Sequence, residues 1–266
     1  MREVAGPALL RVSELSLRFG GIEALAGVSF DVEAGSIVGL IGPNGAGKTT
    51  LFNCISRLYR PDRGDIRFRG RSLLGLPPHR IAPLGIARTF QNLALFPSLT
   101  VLDNVLIGGH CRMRGDFLSE ALRLPWVGRA ERRARRRALA LLAEVGLADA
   151  AATPAGALTF AMQKRVELAR ALALEPVLLL LDEPAGGLDH AEVEELGRRI
   201  RALRDQRRLT LLLVEHHVQM VMAVSDQVVA LDFGRKIAEG TPAEVQRNPD
   251  VVRAYLGADE GAGAAG

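Results

Sequence analysis

Apolar and polar positions alternate along Leu10–Phe19 and again along Ala24–Val32, with Gly20-Gly21 between them. Alternation predicts strands with one buried face, and the glycine pair predicts the turn that joins them. Ser36–Ile41 is a nearly continuous apolar run, the pattern of a strand covered on both faces. A helix is expected to begin at Thr49 and to run past Ile55. Pro61–Asp65 reads as a turn, Ile66–Phe68 as a short strand and Pro77-Pro78 as the start of a short helix. Ile86–Phe90 reads as another strand, with Gln91 at its end.

From Leu93 to about Gly156 the period changes to that of helices. Thr100 is expected to cap a helix reaching Ile107, and Phe117–Leu122 reads as a second. Pro125–Gly128 is expected to break the pattern. A long helix is then expected over Arg129–Val145, with Leu139, Leu142 and Val145 on its apolar face. Its Arg132, Arg133, Arg135, Arg136 and Arg137 read as a solvated cationic face. Thr159 is expected to cap a helix reaching about Leu174. Val177–Asp182 and Leu209–Val214 are continuous apolar runs, again strands buried on both faces, separated by a helix over Ala191–Arg204. Val228–Leu231 and Arg235–Glu239 form a hairpin pattern around Phe233-Gly234. Thr241 and Glu244 have the spacing of a capping box. The glycine- and alanine-rich end, residues 257–266, is expected to be disordered.

The first buried strand leads into Gly42, Pro43, Asn44, Gly45, Ala46, Gly47, Lys48, Thr49 and Thr50. This segment satisfies the pattern G-x-x-x-x-G-K-[ST] in the strand–loop–helix setting that the pattern needs. Glycines let successive N–H groups turn inward toward phosphate oxygens, and the helix start adds positive potential. Lys48 supplies a compact charge for β- and γ-phosphates, and the Thr49 hydroxyl can ligate Mg²⁺. Lys48, Lys164 and Lys236 are the only lysines in an arginine-rich chain. A second candidate feature is Asp182-Glu183, two acids at the end of an apolar strand. That rim of an α/β sheet is where ligands bind, and a bound cation would offset the repulsion between two carboxylates. His216 ends the next apolar strand on the same rim. Phe19, upstream of the loop, is either a core aromatic or a platform for adenine.

Composition adds limits. A chain of 266 residues that is 48% hydrophobic can build one large domain. The formal net charge of +4 suits nucleotides or an anionic surface. The arginines are not interleaved with aromatics, so no nucleic-acid partner is expected. Cys54 and Cys111 carry no metal or disulfide spacing. No apolar run approaches the roughly 20 residues of a membrane span, and the N-terminus lacks the apolar segment of a signal peptide.

Together these motifs resemble the ATP-binding subunit of an ABC transporter, over about Leu9–Leu256. The resemblance implies an α/β P-loop ABC ATPase fold: a mixed sheet core, an antiparallel β subdomain and a helical subdomain over about 93–173. It makes the Gly42–Thr50 loop the Walker A motif and Val177–Glu183 the Walker B motif. Gln91 matches the Q-loop, Asp189 the D-loop, His216 the switch histidine and Phe19 the adenine-stacking aromatic. Arg88-Thr-Phe-Gln-Asn92, Leu99-Thr-Val-Leu-Asp-Asn-Val105, Val214-Glu-His-His217 and the segment from Asn248 to Gly257 are similar to the branched-chain amino acid importers. His217 departs from the aspartate usual there.

The resemblance implies ATP and Mg²⁺ as ligands, with Thr49, Asp182 and Gln91 around the cation, Glu183 polarising water and His216 on the γ-phosphate. It implies a second ATPase subunit in a heterodimer, two membrane permease subunits and a periplasmic or extracellular binding protein, with the chain peripheral at the cytoplasmic face. The signature helix, which would act in trans, departs from Leu-Ser-x-Gly-Gln: it reads Leu158, Thr159, Phe160, Ala161, Met162, Gln163. A soluble ABC-type ATPase, a P-loop kinase and a regulatory nucleotide-binding subunit are the competing readings.

Overall fold

The computed structural model of the protein describes residues 8–89, 94–112 and 125–262, with backbone only for 112, 125–127 and 256–262. Ten strands and eight α-helices lie within these residues. The strands are β1 (Leu10–Phe19), β2 (Ile22–Val32), β3 (Ile37–Ile41), β4 (Arg63–Phe68), β5 (Arg71–Ser72), β6 (Ile86–Arg88), β7 (Leu178–Asp182), β8 (Thr210–Val214), β9 (Gln227–Asp232) and β10 (Arg235–Gly240). The helices are α1 (Lys48–Ile55), α2 (Val101–Gly108), α3 (Pro125–Glu144), α4 (Phe160–Leu172), α5 (His190–Arg207), α6 (Val218–Val224), α7 (Pro242–Gln246) and α8 (Pro249–Ala262).

Two sheets form. The antiparallel sheet has four strands in the order β2-β1-β4-β5. The second has six, in the order β10-β9-β3-β8-β7-β6, parallel except for the antiparallel pair β9 and β10. The apolar runs explain its place in the middle. Along β7, Leu178 and Leu180 face the core shared with the antiparallel sheet and α1. Leu179 and Leu181 face the core shared with α2 through α6. Every residue of β3, β7 and β8 is buried. A strand buried on both faces has no position left for a polar side chain, except at its ends.

The helical segment follows the expected caps. Thr100 Oγ1 accepts from Asp103 N–H at 3.0 Å, and Thr159 Oγ1 accepts from Met162 N–H at 3.4 Å. Two expectations there are corrected. The helix runs through Pro125–Gly128 without a break. Proline fits the first turn because an N–H there has no partner inside the helix, and one glycine costs only about 1 kcal/mol. The buried stripe of α3 is Ala138, Leu141 and Leu142, continued by Val145 just past its end, whereas Leu139 is 37% exposed. These four keep the i, i+3, i+4, i+7 spacing, and Leu139 lies beside it. The arginines from Arg132 to Arg137 are exposed, as expected. At the other end, α8 reaches Ala262 and so enters the stretch expected to be disordered. Phe117–Leu122 and Gln91 lie outside the described residues.

Candidate functional site

The loop between β3 and α1 is shaped by its glycines. Gly42 (φ +150°), Gly45 (φ +81°) and Gly47 (φ +98°) adopt backbone angles that L side chains avoid. Two of them are also crowded. A Cβ at Gly42 would lie 2.2 Å from the Leu231 carbonyl oxygen, and one at Gly47 would lie 2.6 Å from that of Ala24. The loop is thus pressed between the end of β9 and the start of β2. Gly234 N–H donates to the Ala46 carbonyl at 3.1 Å, which fixes the far side.

Lys48 is buried, and its Nζ donates to the carbonyls of Gly42 (2.6 Å) and Pro43 (2.9 Å). Its ammonium spans the mouth of the loop from below. Burial lowers its pKa from the usual lysine range, while the charges of Glu183 and Asp182 pull it back up. Those two acids therefore share its surroundings, although they lie far away in sequence. Thr49 is exposed and Thr50 half-buried at the helix start.

Asp182 ends β7 and is 1% exposed. Its Oδ2 accepts from an Arg88 guanidinium nitrogen at 2.7 Å, and Arg88 is itself 9% exposed. Arg88 also donates to Asn53 Oδ1 (2.8 Å) on α1 and to Ser56 Oγ (3.2 Å) just past its end, and it lies over the Phe52 ring at 5.6 Å. The second oxygen, Asp182 Oδ1, is buried with no hydrogen-bond partner among the described residues. A buried acceptor left bare costs about 1–3 kcal/mol, more if charged. A hard divalent cation, or a water in its shell, is the group that satisfies such an oxygen, so the donor set fits Mg²⁺. Among the described residues no cluster of three or more His, Cys, Asp or Glu could hold a metal alone. A magnesium ion needs no such cage, because it keeps waters and takes phosphate oxygens.

Glu183 follows in a left-handed conformation, φ +48°, with its N–H bonded to the Val214 carbonyl at 2.9 Å. A non-glycine residue held at such an angle marks a constraint, and these concentrate at functional sites. The turn aims its carboxylate at the end of β8. There Glu183 Oε1 meets His216 Nε2 at 2.6 Å. A carboxylate in contact with an imidazole is a pair that can orient water and hold a proton.

The turn carrying His216 is organised by Glu215, a buried carboxylate. It accepts the N–H groups of His216 (3.0 Å), His217 (3.4 Å) and Ala185 (2.5 Å). Asp189 is the N-cap of α5, with a full capping box to Glu192. Phe19 is exposed at the end of β1 and meets Tyr59 edge-on, ring centroids 5.2 Å apart. It is not a core residue, so an exposed ring face remains for a flat ligand.

The segment Leu158–Gln163 lies elsewhere. Gln163 Nε2 donates to the Leu158 carbonyl at 3.1 Å and that of Ala155 at 3.3 Å. The Met162 side chain packs against the helical-side core. Phe160 is exposed, and a Cβ on Gly187 would lie 2.8 Å from its ring. Ala161 is half-buried at the first turn of α4. Among the described residues no hydrogen bond joins 158–163 to the phosphate loop.

Three residues here were not candidates from the sequence: Arg88, Glu215 and Tyr255, whose Oη accepts the Gly42 N–H at 2.9 Å. Arg88 left a signal, an arginine at the end of an otherwise apolar edge strand, and Glu215 left one beside His216 at the end of an apolar run, whereas Tyr255 left none.

The family model described as ABC transporter matches residues 25–186, more than half of the chain. The chain belongs to the ABC transporter family. A second model, described as Branched-chain amino acid ATP-binding cassette transporter, matches residues 235–261 of this cassette. The cassette is 44% identical over 249 residues to the high-affinity branched-chain amino acid transport ATP-binding protein BraF of Pseudomonas aeruginosa. That match covers 94% of this chain and 98% of the relative. LivG of Salmonella typhimurium, described in the same words, is similar to the same extent. Among solved structures, the ADP conformation of MJ1267, an ATP-binding cassette of an ABC transporter, superposes with a TM-score of 0.83 at 30% identity. It covers 95% of this chain and 100% of the other. These findings place the cassette with the transporter ATPases, as the motifs implied, and do not favour the soluble or regulatory readings. Among the described residues, no helix of the cassette is long and apolar enough to cross a membrane.

Proposed function

We propose that this ATPase powers the import of branched-chain amino acids. The observation that carries the reading is 44% identity to BraF along nearly the full length of both chains. The phosphate loop, the acids behind it and the Glu183–His216 contact support hydrolysis as the source of the power.

The site residues divide the work. Phe19 offers its exposed ring to the adenine. The backbone N–H groups of Gly45, Gly47, Lys48 and Thr49 bind phosphate oxygens, and Lys48 turns from its carbonyl partners toward the β- and γ-phosphates. Thr49, Asp182 through its free Oδ1, and Gln91 hold Mg²⁺, which when bound neutralises charge on the phosphates. Glu183 orients the attacking water and draws its proton, and His216 contacts the γ-phosphate while steadying Glu183. Phosphoryl transfer asks for positioning and charge neutralisation more than covalent chemistry, which this set supplies.

No hydrogen bond joins the signature segment to its own phosphate loop among the described residues, which supports a second ATPase subunit whose site it completes. Two permease subunits and a periplasmic binding protein make up the rest, with this subunit peripheral at the cytoplasmic face. Ala161 stands where glycine would let the backbone approach the partner's nucleotide. A displacement near 1 Å can cost about 10²-fold in rate, so the partner's site is the slower one.

The test is the reconstituted complex. Glu183→Gln in this subunit keeps ATP binding, slows turnover at least about 10²-fold and traps the closed dimer. Ala161→Gly with Met162→Gln speeds the complex. Transport of leucine, isoleucine and valine tests the cargo. Wild-type turnover by Glu183→Gln would overturn the catalytic assignment, and transport without any second type of ATPase would overturn the heterodimer.

A further inference from the structure

Gly42 opens the phosphate loop where sheet pairing ends. Its neighbour Ile41 pairs with Ala230, and Gly42 itself is buried. An N–H in that position has no strand to bond to, and water cannot reach it. Tyr255 of α8 supplies the acceptor, with its Oη 2.9 Å from the Gly42 nitrogen. The carbonyl of the same residue accepts from Lys48 Nζ at 2.6 Å. The Tyr255 ring packs against the helical-side core. Burial raises the phenol pKa, although the Gly42 bond lowers it, so the group remains a neutral hydroxyl near neutral pH. One face of Gly42 is thus held by the Leu231 carbonyl, its N–H by Tyr255 and its carbonyl by Lys48.

We propose that Tyr255 is a positioning residue for the phosphate loop, and that nucleotide binding and the docking of α8 stabilise each other. The inference rests on the nucleotide-site reading above. If the Tyr255 bond holds the loop in the form that accepts phosphate, then bound nucleotide must hold α8 by the same free energy, because coupling between two sites is reciprocal. The last helix would then report on the occupancy of a site more than two hundred residues earlier in the chain.

The experiment compares wild type with Tyr255→Phe, which keeps the ring and removes the acceptor. Arg253→Ala is the control, an exposed residue of the same helix that pairs, among the described residues, with Asp250. The affinity for Mg-ADP and Mg-ATP is measured on the full chain. Backbone hydrogen exchange of residues 249–262 is followed with and without Mg-ADP. Tyr255→Phe should weaken nucleotide binding about fivefold, the worth of one ordinary hydrogen bond. In wild type and in Arg253→Ala, nucleotide should slow exchange in α8, and in Tyr255→Phe most of that slowing should vanish. Unchanged affinity with unchanged slowing would overturn the proposal. So would a lower melting temperature with wild-type affinity, since that is packing alone. Failure of the wild type to bind nucleotide would overturn the functional reading as well, and so is told apart from failure of this inference alone.

Discussion

Arg88→Met tests whether the buried pair with Asp182 anchors the site. Methionine keeps most of the stem and removes the guanidinium. It strands Asp182, 1% exposed, and leaves its Oδ2 as bare as its Oδ1. It also deprives Asn53 Oδ1 and Ser56 Oγ of their donor. Removing one partner of a buried ion pair costs about 3–5 kcal/mol, because the other charge stays buried and alone. A domain has only about 5–15 kcal/mol of stability in total, so the urea midpoint should fall by about a fifth or more. Replacing both partners, Arg88→Met with Asp182→Leu, should cost far less than the sum of the single changes. The pair's own attraction roughly offsets its desolvation, so an apolar substitute can be nearly neutral. Urea unfolding of the four proteins, with slopes compared to confirm two-state behaviour, gives the coupling energy. A loss below about 1 kcal/mol for Arg88→Met, or single losses that add within about 0.5 kcal/mol, would refute the reasoning.

Three further outcomes follow from other parts of the molecule. Phosphate binding favours the ammonium form of Lys48, whose pKa burial lowers, so affinity for Mg-ATP should fall as pH rises through that lowered value. Titration from about pH 7 to about pH 10 checks this, and a flat affinity would count against Lys48 as the phosphate ligand. The Cys54 thiol is buried and pushed up to about 12, whereas Cys111 is exposed, so iodoacetamide at pH 8 should label Cys111 and spare Cys54 until the protein is unfolded. Gly108→Ala should destabilise by about 1–3 kcal/mol in thermal melts, because its Cβ would lie 2.0 Å from the Arg170 carbonyl oxygen where α2 meets α4.

The parts read correctly from sequence are those where one local pattern has one physical solution. Leu178–Leu181 reads as a strand covered twice, and the glycines at 42, 45 and 47 as a loop of backbone angles that L side chains avoid. The helix caps at Thr100, Thr159 and Thr241 are of the same kind. Pro125 misled because proline stops a helix in its interior but begins one readily, and the sequence does not say which position it holds. Leu139 misled because a row of leucines and alanines offers several stripes, and only packing selects one. Arg88, Glu215 and Tyr255 act through contacts across the fold. Glu215 acts on Ala185, 30 residues back in the chain, and Tyr255 on Gly42 across 213. No local period encodes such pairs. Phe19 is exposed, but the approach of a base to its ring belongs to the complex with nucleotide.

The order of strands in the larger sheet has a consequence for how the chain is made. β3 carries the phosphate loop, yet its two neighbours are β8 and β9, which begin at Thr210 and Gln227. On the ribosome the loop-bearing strand emerges early and must wait, unpaired on both edges, until four-fifths of the protein has been synthesised. Contacts so distant in sequence form slowly, and an unpaired apolar strand is a template for aggregation. Without β8 and β9 the loop has no sheet to rest on, so ATP would be of little help to the nascent chain as a folding aid. A ribosome stalled before codon 210 should therefore display a chain that binds chaperones rather than nucleotide.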